Sequence, residues 1–204
     1  MDRLEFLKKM KTAVLAAGLL MMSTSCAFSG NSGNTVLNGD LKFTQADLSV
    51  KPFMEIEIET VADVYYTQTN GDQQDVRLDF SKISDPKFKK QLMENVKVVY
   101  RENKMIIGLA SRVKGISKLK NNERLRVYVT SPDLVKVSLE GVGSFNANAI
   151  NSDVFEIDNE GVGNVNVKNL LANKIEITNE GVGNVRIDNM QSDHVDIDNE
   201  GVGN

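Results

Sequence analysis

The chain has 204 residues, with 24 Lys and Arg against 28 Asp and Glu, one His, one Cys and no Trp. Hydrophobic residues make up 41% and charged ones 25%, the balance of a folded chain with a core rather than a disordered one. One Cys excludes a disulfide framework, one Cys with one His excludes a Cys/His zinc site, and a net charge of −4 excludes a general nucleic-acid binder with a basic face.

Arg3, Lys8, Lys9 and Lys11 open the chain, residues 12–22 (TAVLAAGLLMM) are apolar throughout, and Ser23, Thr24 and Ser25 precede Cys26. Basic, then apolar, then small is the order of a secretory signal. The apolar run is too short for a spanning helix, which takes roughly 20 residues. With Cys26 directly behind the small residues, the segment resembles a bacterial lipoprotein signal. Ser23 stands where the usual motif has Leu, as in the looser signals of Bacteroidetes. The resemblance implies cleavage before Cys26, a lipid on its thiol, and a location in the cell envelope at the outer membrane. Residues 1–25 are then a signal peptide. Residues 26–40, rich in Gly, Ser and Asn, are a flexible tether. No acidic run follows Cys26, which favours the periplasmic face over the cell surface.

Downstream, residues 53–58, 61–66, 76–80, 96–100 and 105–109 read as short strands. Asp85 as cap, Pro86 behind it, and Phe88 and Leu92 one turn apart predict a short helix over 87–94. Residues 41–122 are therefore expected to form irregular β-coils around one helix.

A period of 20 residues governs the rest: EGVGS begins at Glu140, and EGVGN begins at Glu160, Glu180 and Glu200. Aligned units place Val142, Val162, Val182 and Val202 in one column. Phe145, Val165 and Val185 share another, as do Phe155, Ile175 and Val195, and Ile157, Ile177 and Ile197. Between them apolar and polar residues alternate, as in strands with one buried face. A unit of this size fits one coil of a parallel β-solenoid, with equivalent residues stacked at about 4.8 Å. Leu125, Val127 and Val129 lie one period before Phe145, Ala147 and Ala149, so the regular coils are expected over residues 123–204. Glu140, Glu160, Glu180 and Glu200 should stack, as should Glu156, Glu176 and Asp196. Asn159, Asn179 and Asn199 form one amide column, and Asn164, Asn184 and Asn204 another. The given sequence stops inside a repeat with nothing to cap it. The domain is thus expected to continue or to self-associate through the uncapped C-terminal coil.

The order of FMEIEIETVADVYYTQ at residues 53–68, the helix-bearing middle, LRVYVTSPDLVKVSLEG at residues 125–141 and the G-x-G repeat is similar to the head GIN domain of putative auto-transporter adhesins. The similarity covers residues 40–204. It implies an all-β, right-handed β-helix-like fold and a role in the Bacteroidetes cell envelope, and it brings no catalytic residues to transfer. The family's common G-S-G-D or G-A-G-D is G-V-G-N here.

Charge is uneven: residues 1–139 hold 21 basic and 16 acidic residues, and residues 140–204 hold 3 and 12. Stacked acids repel by about 1 kcal/mol per pair at water-like dielectric, an energy that water and salt offset on an exposed face. The repeat lacks the G-G-x-G-x-D pattern of calcium-binding β-rolls, so neither metal nor cofactor is expected. His194 sits near Ser192, Asp193 and Asp196, but sequence adjacency does not make a catalytic triad. The four Tyr read as core or scattered surface. The expected function is a non-enzymatic, lipid-anchored envelope protein whose repeated columns, with Glu160, Glu180, Asn164 and Asn184 as the residues to test, bind a polysaccharide or protein by avidity. The alternatives are a carbohydrate-active β-helix enzyme and a structural or regulatory envelope component.

Overall fold

The computed structural model describes residues 50–110, 113 and 123–204. The signal peptide, the tether and Cys26 lie outside these described residues. All five strands expected upstream of the repeat are present: β1 (Glu55–Ile58), β2 (Val61–Gln68), β3 (Asp75–Asp79), β4 (Val96–Arg101) and β5 (Lys104–Leu109). Helix α1 (Pro86–Asn95) starts where Asp85 caps it, its carboxylate accepting from the N–H groups of Lys87 at 2.9 Å and Phe88 at 3.3 Å. Pro86 costs nothing at the first position, and Phe88 and Leu92 bury one face of the helix. Then follow β6 (Leu125–Ser131), β7 (Lys136–Leu139), the long strands β8 (Val142–Asn159) and β9 (Val162–Asn179), and the shorter β10 (Val185–Gln191) and β11 (His194–Asn199).

These strands form one curled, mixed sheet with two arms that meet in β8. The first half of β8 pairs with β2, and its last residues pair with β7. One arm runs β8, β2, β6, β3; the other runs β8, β7, β1, β5, β4. On its other edge β8 carries β9 in parallel, and β9 carries β10 and β11. The register is the sequence period: Phe145 pairs with Val165, Ile157 with Ile177, and Val165 with Val185. Every apolar column expected over residues 142–199 therefore exists as a ladder.

The upstream part differs from the expected β-coils in two ways. First, β3 pairs with β6 and β4 with β5 in antiparallel fashion, so the far ends of both arms are not parallel coils. Second, Val137 does pair with Ile157, but Val127 does not reach Phe145. Strand β2 lies between them, with Val64 paired to Val127 on one edge and to Phe145 on the other. The cause is the preceding corner. Residues 59 and 60 join β1 to β2 just as residues 140 and 141 join β7 to β8, so β1–β2 is itself the layer beneath β7–β8. Strand β6 is displaced one rung outward.

The corners stack backbone on backbone. The N–H of Gly141 donates to Ile58 O at 2.8 Å, that of Gly161 to Leu139 O at 2.7 Å, and that of Gly181 to Asn159 O at 2.8 Å. No side chain fits between them: a Cβ on Gly163 would lie 1.7 Å from Gly143 O, and one on Gly143 would lie 1.8 Å from Ala62 O. The lowest corner carries Thr60 and Ala62 at the equivalent positions. Among the described residues no further corner lies beneath it, so a Cβ is tolerated there.

Apolar columns fill the inside of the curl. Phe53, Phe80, Phe145 and Phe155 are fully buried, and Ile56, Ile58, Val64, Leu125 and Ile175 pack with them. One polar column shares that interior. Asn159 Nδ2 donates to Asn179 Oδ1 at 2.6 Å, and Asn179 Nδ2 donates to Asn199 Oδ1 at 2.6 Å. Buried amides need such partners, since each bond left unmade costs about 1–3 kcal/mol. At the foot of this ladder Asn159 Oδ1 has no partner, because the rung below presents Leu139.

Corner stacking makes a sharp prediction. Gly163→Ala forces two stacked backbones apart and lowers unfolding free energy by about 3 kcal/mol. Gly71→Ala, where nothing lies within 4 Å of the new methyl, stays within about 0.5 kcal/mol of the parent. Urea unfolding of both variants reads the difference, and equal midpoints would refute the corner contact.

Candidate binding face

Strand alternation sends every second residue outward, and parallel register lines those residues up across strands. On the arm carrying β3, β6 and β2, one row runs Arg77, Tyr128, Tyr65, Asn146, Asn166 and Arg186 across six strands. Its members touch. The Arg77 guanidinium lies 4.1 Å over the Tyr128 ring, and Tyr128 stacks on Tyr65 with ring centres 5.3 Å apart. Asn166 Nδ2 donates to Asn146 Oδ1 at 3.0 Å, and Asn146 Nδ2 donates to Ser144 Oγ at 2.9 Å. The row beside it holds Arg126, Asp63, Ser144 and Asn164. Ser144 Oγ donates to Asp63 Oδ1 at 2.9 Å, and Arg124 Nη1 pairs with the same oxygen at 3.2 Å.

The four tyrosines thus divide. Tyr66 and Tyr100 belong to the interior. Tyr66 Oη lies 3.0 Å from Ser131 Oγ. Tyr100 packs against Phe53, and burial, with Asp75 adding to it, pushes its hydroxyl up to about 12. Tyr65 and Tyr128 form an outward platform. Sequence reading sees four scattered residues, because Tyr65 and Tyr128 meet only when β2 docks on β6.

Of the expected binding residues, Asn164 and Asn184 are brought together in the row next to the platform. The backbone N–H of Asn184 donates to Asn164 Oδ1 at 3.0 Å, and its Nδ2 donates to the same atom at 3.2 Å. Both are exposed. Glu160 and Glu180 are exposed too, but they stand across the Gly-Val-Gly corner in the column of Glu140. They do not join the platform.

The acidic columns are offset by lysines as well as by solvent. Lys136 stands in the column of Glu156, its Nζ 2.5 Å from Glu156 and 3.6 Å from Asp158. Lys174 pairs with Glu176, which holds that carboxyl below its usual range. At the lowest corner Glu57, Glu59 and Glu140 bring carboxylate oxygens within 4.8 Å of one another. Lys104 Nζ lies 2.5 Å from Glu57 Oε2 and so takes the place a cation would need. Burial raises Glu59, and a hydrogen bond with Glu57 and the charges of Glu57 and Glu140 add to it, against the opposing Arg101. Burial and the charges of Glu57, Glu160 and Asp158 raise Glu140, with Lys104 opposing.

Ser192 is engaged with the backbone of His194: its Oγ donates to His194 O at 2.8 Å and accepts from His194 N at 3.3 Å. This pairing uses no ring nitrogen, so the two side chains form no nucleophile and base pair.

A family profile described as "Putative auto-transporter adhesin, head GIN domain" matches residues 52–204. The chain belongs to the head GIN domain family. Among solved structures, this domain is similar to one described as a putative adhesin from Bacteroides fragilis, at 23% identity and a TM-score of 0.60, covering 76% of this chain and 74% of that one. It is also similar to one described as a putative adhesin from Parabacteroides distasonis, at 19% identity and a TM-score of 0.53, covering 72% of this chain and 66% of that one. At these identities the likeness is one of fold. Among curated proteins none matches.

The raised carboxyls make the stability of the head GIN domain depend on pH. A carboxyl raised in the folded state binds its proton more tightly there than in the unfolded chain. Its contribution is full below the ordinary value of 4.5 and is lost as pH rises through the raised value. The melting temperature is therefore expected to rise on acidification from neutral pH toward 4.5. Glu59→Gln should flatten that rise and raise the melting temperature at neutral pH; a scan across pH with both proteins checks it.

Proposed function

We propose that this head GIN domain is the display part of a non-enzymatic, lipid-anchored envelope protein, and that its outward row from Arg77 to Asn166 binds an extended polysaccharide. The observation that carries this reading is the stacked Tyr65–Tyr128 pair continuing into Asn146 and Asn166. Aromatic faces take the C–H faces of sugar rings, while neutral amides and hydroxyls donate to and accept from sugar hydroxyls. Repetition of amide rungs lets a long ligand make several weak contacts at once. We read the 20-residue register as right-handed solenoid coils, supported by the parallel pairing of β8 with β9. Lipid attachment at Cys26 holds the display surface at the outer membrane, on its periplasmic face.

Two experiments test it. On a glycan array Tyr65→Ala or Tyr128→Ala is expected to weaken binding by about 1 kcal/mol, a roughly fivefold loss, with Asn164→Ala and Asn184→Ala acting in the same direction. Glu160→Gln and Glu180→Gln, outside the row, should change binding less. Binding that ignores both tyrosines would sink the platform. For the anchor, labelled palmitate should enter the parent chain and not Cys26→Ser.

A further inference from the structure

The last described coil shows what an uncovered rung exposes. In the columns of β9, Ile175 is 0% and Ile177 is 7% exposed; one rung on, Val195 is 36% and Ile197 is 61% exposed. Strands β10 and β11 pair only with β9, leaving one backbone edge of each without a strand. This edge is acidic: residues 185–204 carry one Arg against five carboxylates. At the opposite ends of the two arms, β3 and β4 are the terminal strands, each with one strand partner among the described residues. That end is basic: residues 75–101 carry seven Lys and Arg against four acids.

The two ends also match in alternation. On β11, Val195 and Ile197 face inward, while Asp196 and Asp198 face out in the columns of Glu176 and Thr178. On β4, Val98 and Tyr100 share the inner side with Ile107 and Met105, while Lys97, exposed Val99 and Arg101 lie outward. On the other arm, β10 offers inward Ile187 and outward Asp188. There β3 offers inward Leu78 and outward Arg77.

We propose that a second copy of this chain docks its β3 and β4 edges antiparallel onto the β10 and β11 edges of the first, head to tail. In this register Ile197 faces Val98, Val195 faces Tyr100 and Ile187 faces Leu78 inside. Outside, Asp198 stands beside Lys97 and Asp188 beside Arg77. Added strands satisfy backbone edges while alternate side chains set the match. End-to-end pairing of two β11 edges would instead set Asp196 and Asp198 against their own copies, and like charges directly opposite destabilise a strand pair. A head-to-tail contact leaves each assembly one free edge of each kind, so it grows with concentration. This inference stands apart from the polysaccharide reading and uses a different part of the sheet.

Sedimentation of the chain in a non-ionic detergent, which masks the apolar residues 12–22, tests it across a wide concentration range. The parent is expected to associate progressively, less so at high salt. Asp196→Lys with Asp198→Lys should weaken association roughly tenfold, and so should Lys97→Glu with Arg101→Glu. An equimolar mixture of the two variants should regain a complex of one copy of each. Circular dichroism shows that each variant is folded before it is scored. Three results would overturn the proposal: a single chain at every concentration, association lost in the aspartate variant but kept in the Lys97 and Arg101 variant, or a mixture that stays dissociated.

Discussion

Everything in this sheet depends on one close approach: the backbone of each corner rests on the backbone of the corner below. Gly163 over Gly143 and Gly143 over Ala62 leave no room for a methyl group. That contact fixes the rung spacing at the corner, and the spacing forces the columns into line on either side of it. The repeated glycines therefore act as a spacing rule for β8, β9 and the strands after them. Side chains then fill what the rule leaves: phenylalanines low in the stack, Val165 and Ile175 above.

Alignment in columns has an electrical cost, because like residues repeat on like rungs. The protein meets it differently inside and out. Inside, the one polar column is uncharged, and its amides bond from rung to rung. Outside, the acidic columns gain lysines. Lys136 stands one rung below Glu156, and Lys174 reaches Glu176. Only at the lowest corner do three carboxylates crowd together, and there Lys104 and shared protons carry the balance.

The sequence pattern revealed the part of the fold that repeats. A period of 20 residues, with apolar columns at fixed offsets, is enough to read the pairing of β8, β9, β10 and β11 correctly. Helix α1 was legible from Asp85 and Pro86, since capping is local. The insertion of β2 between β6 and β8 was not. Its corner, Glu59-Thr60-Val61-Ala62, is a copy of Glu140-Gly141-Val142-Gly143 without the glycines, and the glycines are what make the motif visible. The signal was there in the Glu and Val positions. The binding row was hidden for the same reason, since Arg77, Tyr128 and Tyr65 become neighbours through pairings between distant segments. Asn164 and Asn184 could be named because one period separates them.

The placement of β2 has a consequence for how the molecule comes to be. Coils of the repeat close loops of 20 residues, whereas the pairing of Val61 with Val142 closes one of 81. Two doublings of loop length cost about 1.2 kcal/mol more in chain entropy. Long-range parallel pairing of this kind is also slow to form. Local winding can therefore run ahead in the later part of the chain, while the earlier part must wait for a slot with two walls. Contact order, low at one end and high at the other, makes the repeat the nucleus and the inserted layer the late arrival.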